Sequence, residues 1–213
     1  MLLPALSAAR ERARVATCVS QLKQIMLADT LYAQSNNDFR ANCGYQNYVA
    51  SYRFNYYLNG RGYGSSLPPN QLIMGGYFGA IPERDFIMNE ELKRQFKCPS
   101  DTINFGKQHT GSQYHMSYWV LMMNLNHLND EFRGWWSNQN RRVRNTIACE
   151  PGLVTWYDAW GKSEATMPQN HPQTINVAYL DGHVASHPLG AAEQDKYTIG
   201  QYCPPAWYLD EID

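Results

Sequence analysis

The apolar lead of this chain, Met1 to Leu6, stops at Ser7 and is far too short to span a bilayer. The sequence also lacks most of the compact signatures of catalysis and metal binding. There is no C-x-x-C pair, which argues against a zinc knuckle or a thioredoxin-like centre. There is no G-x-S-x-G elbow and no H-E-x-x-H pair. The glycine-rich segment 60–66 is not followed by Gly-Lys-Ser, so it is no phosphate-binding loop. No D-x-[DN]-x-[DN]-G calcium loop occurs. A net charge of −1 leaves no footprint for nucleic acid or for an acidic membrane surface. Neither an internal repeat nor a low-complexity tract is present. An enzyme is therefore not expected.

What is present is a core-forming length, an abundance of aromatics with six Trp, and five cysteines: Cys18, Cys43, Cys98, Cys149 and Cys203. Outside the cytoplasm these allow one or two disulfides and leave at least one thiol, with connectivity open. Residues 2 to about 35 read as one helix. Val15, Cys18, Val19, Leu22, Ile25, Met26 and Ala33 recur at three- and four-residue steps, and Ser35-Asn36-Asn37-Asp38 supplies a turn-forming stop. Arg10, Arg12 and Arg14 beside Glu11 read as a solvated face. The segment 48–54 fits a strand or a short helix. Pro68 to Met74 reads as a short helix closed by Gly75-Gly76, and Asn89 to Phe96 as another. Strands are predicted at 112–123, at 147–149 and at 153–158.

The run from Thr174 to His187 carries the strongest local signal. Asp181-Gly182 between alternating apolar residues predicts a hairpin with a two-residue loop. In that register Leu180 faces His183, Tyr179 faces Val184, Val177 faces Ser186 and His187 faces Asn176. Ile175, Val177, Tyr179 and Val184 then share the core face. Seven extended residues keep His171 and Asp181 at opposite ends of the strand, so they are not expected to act as a dyad. His183 and His187 on a strand stand roughly 13 Å apart, at about 3.3 Å per residue, too far to share a metal. Helix first and strands later give an α+β fold class, with the long N-terminal helix packed on an antiparallel β-sheet and an irregular insert containing short helices.

Three segments resemble the bacterial prepilin-like, or pseudopilin, family. His171, nine residues, then Asp181-Gly182 is similar to its C-terminal H-X9-DG signature. Met1 to Ile25 is similar to the stretch that follows the cleaved, methylated membrane segment. Cys98-Pro99-Ser100-Asp101 is similar to the string that marks entry to the β-rich half. The resemblance implies a pilin-like fold and a truncated N terminus whose membrane segment is missing. It implies a structural subunit of a type II secretion or type IV pilus-like machine, anchored in the inner membrane with its domain in the periplasm or outside. Its partners are other pilin-like subunits and the assembly machinery. It implies structural roles for His171, Asp181 and Gly182, and an assembly face formed by Leu2, Leu3, Leu6, Val15, Val19, Leu22, Ile25 and Met26. Some pseudopilins hold Ca2+ in their β-loops, which makes Asp101, Asp158 and His171 metal candidates; no other cofactor is implied. Asp158 or Asp101 is also a possible partner for His171.

The expected organisation is one unit: a spine helix over 1–35, the irregular insert over 36–97, the sheet with its C-terminal hairpin over 98–190, and a surface tail over 191–213. The alternative is an extracellular carbohydrate- or ligand-binding module that stacks sugar rings on exposed aromatics, with Trp135, Trp136 and Trp160 as candidates.

Overall fold

The computed structural model describes residues 2–41, 50–55, 67–79, 94–110, 113–121, 146–161, 167–197 and 208–211. Its elements run α1 (Leu2–Ser35), β1 (Ala50–Asn55), α2 (Pro68–Met74), β2 (Gln108–Thr110), β3 (Gln113–Leu121), β4 (Val154–Asp158), β5 (Thr174–Tyr179), β6 (Val184–Pro188) and α3 (Ala191–Tyr197). The strands form one sheet in the order β1-β3-β4-β5-β6, with β2 also pairing β3. Every pairing is antiparallel. The chain is thus α+β, a long N-terminal helix packed on an antiparallel sheet.

α1 ends where the sequence predicts. The amides of Asn36 and Asp38 both reach back to the Ala33 carbonyl, and Asn37 and Asp38 take positive φ, 54° and 65°. Asn and Asp tolerate that region because their short side chains satisfy local backbone groups. The turn brings Arg40 back onto the helix. There its guanidinium binds Asp29 Oδ2 through Nε at 2.9 Å and donates from Nη1 to the Leu121 carbonyl at 3.1 Å, while Ala41 N and Trp156 Nε1 also donate to Asp29. Both charges are buried. They persist because carboxylate and guanidinium are matched and their remaining bonds are made inside.

α1 lies across β4, β5 and β6. Its buried stripe, Cys18, Leu22, Ile25, Met26 and Ala28, packs on Met116, Tyr118, Val120, Trp156 and Ala178 of the sheet and on Leu72 and Ile73 of α2. Full burial of side chains such as Leu22, Ile25 and Met26 contributes roughly 1.5–3 kcal/mol each. The opposite sheet face buries Trp119, Leu121, Val154, Tyr157, Ile175, Val177 and Tyr179 together with Trp160, Met167 and Leu189. Both faces are therefore covered, and β4 is buried at every position.

Several expectations are corrected. The hairpin pairs Ala178 with Val184, Val177 with Ala185, Asn176 with Ser186 and Ile175 with His187. Tyr179 N donates to His183 O, Gly182 N donates to Tyr179 O, and Gly182 has φ 91°. The loop therefore has three residues, a turn whose last residue is a left-handed glycine bulge, and not two. The extra residue shifts β6 by one and moves Val184 to the helix side, away from Ile175, Val177 and Tyr179. Ile175, Val177 and Tyr179 are core residues as expected, but on the face turned away from α1; the helix rests on the face carrying Asn176 and Ala178. Residues 147–149 form a turn beside an isolated bridge between Phe39 and Thr146, not a strand. Of the segment 48–54, open between strand and short helix, the described residues 50–54 lie in strand β1, so the sheet draws a strand from the insert. The tail contains helix α3, and its residues Asp210 and Glu211 are tied to the sheet: Asp210 accepts from Val154 N, and Glu211 N donates to Gly152 O. The predicted helix from Asn89 lies mostly outside the described residues.

Candidate functional site

Period-two alternation puts Asp158 on the helix side of β4, since it follows Trp156 by two. The strand pairings align Tyr118, Asp158, Asn176 and Ser186 as one row across the sheet beneath α1. Hydrogen bonds run along that row. Ser186 Oγ donates to Asn176 Oδ1 at 2.6 Å, and Asn176 donates to Asp158 Oδ2 from both its amide (3.0 Å) and its side chain (2.6 Å). Asn170 Nδ2 adds a bond to Asp158 Oδ1 at 3.3 Å. Asp158 is wholly buried, and burial pushes its carboxyl above the usual range against the hydrogen bonds and the neighbouring His171 that pull it down.

His171 stands over this row. Its Nε2 lies 3.7 Å from Asp158 Oδ2 and 3.2 Å from Cys98 Sγ, and its Nδ1 bonds Glu11 Oε1 at 2.6 Å. A carboxylate at Nδ1 fixes the proton there and turns Nε2 inward. Glu11 is held from a second side by Ser100 Oγ, at 2.9 and 3.0 Å from its two oxygens. Partial burial raises the Glu11 pKa, but the hydrogen bonds from His171 and Ser100 and the electrostatic pull of the imidazole outweigh it, so the net shift is downward. Cys18, one helical face along from Glu11, is joined to Cys98 by a disulfide with Cα atoms 5.5 Å apart. Glu11 and Cys18 of α1, Cys98 and Ser100 of the Cys-Pro-Ser-Asp string, and His171 thus meet in one knot over Asp158. Among the described residues, Cys18, Cys98, Asp158 and His171 form the group of metal-ligand side chains with one donor atom each within 4.8 Å of one another, and all four are buried.

The other candidate residues separate. Asp101 is bonded elsewhere than to His171: its Oδ1 accepts from the amides of Ile103 and Asn104 and its Oδ2 from Phe105 N and Ser117 Oγ. Four donors fill a carboxylate's capacity, so Asp101 is the anchor of a local turn. Asp181 sits at the hairpin tip beyond β5, bonded to His183 through N (2.9 Å) and Nδ1 (2.6 Å). His183 stacks on Tyr179, whose hydroxyl bonds His187 Nε2 at 2.8 Å, so the two imidazoles flank one phenol ring. Trp160 is buried against Trp119 and Tyr157 and offers no stacking platform. Trp135 and Trp136 lie outside the described residues.

The stripe proposed for assembly is not one surface. Leu22, Ile25 and Met26 are fully buried under the chain's own sheet, Val15 and Val19 are half-buried, and Leu6 is 48 % exposed. The side chains of Leu2 and Leu3 fall outside the described set. From Pro4 to Arg10 every residue is exposed, so this end of α1 projects beyond the sheet. Among the described residues no helix is long and apolar enough to cross a membrane.

Glu11, expected on a solvated face with its arginine neighbours, is instead a half-buried partner of His171. It stands among arginines at a solvated-looking position, and its partner lies 160 residues away. The one available signal was its place seven residues before Cys18, two helical turns along the same face. Comparison of the chain with family models, with curated proteins and with solved structures gives no match.

Proposed function

We propose that this chain is the globular part of a pilin-like structural subunit, working in a type II secretion or type IV pilus-like machine of the cell envelope, with other pilin-like subunits as its partners. The observation that carries the reading is the division of α1. One half is buried on the sheet, while the Pro4–Arg10 end is exposed on every side. A projecting helix end has no use for the fold of its own domain but suits stacking against copies of itself. The knot supports the same reading. The three segments similar to the prepilin-like family, far apart in sequence, converge through Glu11, Cys18, Cys98, Ser100 and His171 to lock the spine to the sheet. A subunit loaded along its spine needs such a lock. His171, Asp181 and Gly182 then have structural roles: His171 in the lock, the other two in the hairpin turn.

The reading requires an apolar segment continuous with α1 at its N-terminal end, of about 20 residues. The test is expression of the complete gene product with a prepilin peptidase and a photo-reactive amino acid at position 6. Cleavage with N-methylation, and self-adducts from position 6 but not from exposed Gln173, are expected. An upstream sequence without such a segment, or adducts at neither position in the processed protein, overturns the proposal.

A further inference from the structure

The lock between spine and sheet has the donors for a second chemistry. We propose that, with Cys18 and Cys98 reduced, the junction is a zinc-class metal site in which Cys18, Cys98, Asp158 and His171 each supply one ligand atom. The proposal does not depend on the assembly role.

Two thiolates, an imidazole and a carboxylate are a four-ligand set that suits tetrahedral Zn2+, and the sulfur and nitrogen donors disfavour the hard cation Ca2+. A tetrahedral site with metal–ligand bonds of about 2.0–2.3 Å separates its ligand atoms by about 3.3–3.8 Å. The Cys98 Sγ–His171 Nε2 and His171 Nε2–Asp158 Oδ2 separations, 3.2 and 3.7 Å, already lie close to that range. The two sulfurs must part once their bond is gone, which side-chain rotation supplies without moving Cα atoms 5.5 Å apart.

The surroundings are those of a metal centre. His171 donates its other ring nitrogen to Glu11, the carboxylate–imidazole pair that fixes ring orientation around a bound metal, and Ser100 steadies Glu11 in turn. Asp158 is aimed by Asn170 and Asn176. All four ligand residues are buried, so loading is expected as the chain folds.

The chemistry balances with a dithiol as reductant. It delivers two electrons and two protons to the Cys18 and Cys98 sulfurs, their S–S bond breaks, and the dithiol leaves as its own disulfide. On binding M2+ both thiols release their protons to solvent as the two S–M bonds form. The Asp158 carboxylate and the His171 Nε2 lone pair complete the set, and the Nδ1 proton stays between His171 and Glu11.

The test uses the full chain with Cys43, Cys149 and Cys203 replaced by Ser, refolded anaerobically with thiol reductant and one equivalent of Co2+. Expected are one Co2+ per chain with thiolate-to-cobalt and tetrahedral d–d absorption, displacement by Zn2+, and no binding by the oxidised protein. Asp158→Asn and His171→Gln alter the d–d bands. Glu11→Gln, acting through His171, weakens binding by about 10–100-fold while the thiolate bands remain. A reduced chain that folds without taking up metal overturns the proposal. So does metal uptake by the oxidised chain, absorption unchanged in Asp158→Asn and His171→Gln, or a reduced chain that fails to fold even with Co2+ or Zn2+ supplied.

Discussion

His171 Nδ1 and Glu11 Oε1 stand 2.6 Å apart, joining the lower end of the spine helix to the loop that feeds β5. The imidazole is buried and the carboxylate half-buried. On its other side the same imidazole faces the wholly buried Asp158. One ring therefore serves two carboxylates, and its removal costs more than the loss of a single hydrogen bond.

His171→Ala is expected to destabilise the protein by roughly 2–4 kcal/mol, because Asp158 loses the imidazole facing its buried carboxylate. Glu11→Ala, at a half-buried position, is expected to cost about 1–2 kcal/mol. Chemical denaturation of the two single variants and the double variant checks the pair. A double variant less damaged than the sum of the singles is expected, since the residues share one interaction. Strict additivity would dissolve the lock.

The disulfide closes a loop of 80 residues in sequence separation. Chain entropy for a loop of that size gives about 4–5 kcal/mol of stabilisation. Urea midpoints with and without reductant, in a metal-free buffer, should differ accordingly, and Cys18→Ala/Cys98→Ala should match the reduced protein. Coincident midpoints would mean that the bond does not constrain the unfolded chain.

Two glycines test the C-terminal half. A Cβ at Gly152 runs into the backbone carbonyl of Glu211, whereas at Gly182 it meets open space but a φ of 91°. Gly182→Ala is expected to cost about 1 kcal/mol as backbone strain. Gly152→Ala should cost more and release 208–211 from the start of β4, seen as faster amide exchange at Val154, whose N–H donates to Asp210. Equal, small effects would place the Glu211 segment elsewhere in solution.

Acid should destabilise the fold. His115 is pushed down to about 4 by burial, by His109 and by the Arg53 and Lys107 charges. Its unfolded pKa is near 6.5, so the unfolded chain binds the proton more readily. The contribution is complete above about pH 6.5 and is lost as pH falls toward 4. Glu11, held low, has the same sign: its stabilisation is lost as pH falls through its folded pKa. Asp158, held high by burial, opposes them, since protonation relieves it. Melting temperature should fall between pH 6.5 and 4, and His115→Gln should flatten that slope. An unchanged slope in the variant would remove His115 from the account.

The long helix was legible because its signals are local: apolar steps of three and four, then a polar stop whose Asn37 and Asp38 can take positive φ. Strands β3, β4 and β5 were legible for the same reason, with period two in place of 3.6. The hairpin was legible as a hairpin, but its loop length was not. Asp181-Gly182 serves equally as a two-residue turn or as the end of a three-residue turn with a glycine bulge, and the choice moved Val184 and His187 to different partners. What escaped entirely was the role of Glu11, the pairing of Cys18 with Cys98, and the isolation of Asp101 from His171.

By itself the sequence determined where the chain coils, where it extends and which residues prefer to be buried, since each depends on neighbours within a turn or a strand. Only the tertiary structure decided which charges meet. Stacking α1 on the face that carries Asp158 and Asn176 brought residues 18, 98, 158 and 171 into a single buried site, with half-buried Glu11 at its rim. The cost of burying a charge is settled by partners in space, and those partners lie up to 160 residues apart in the chain.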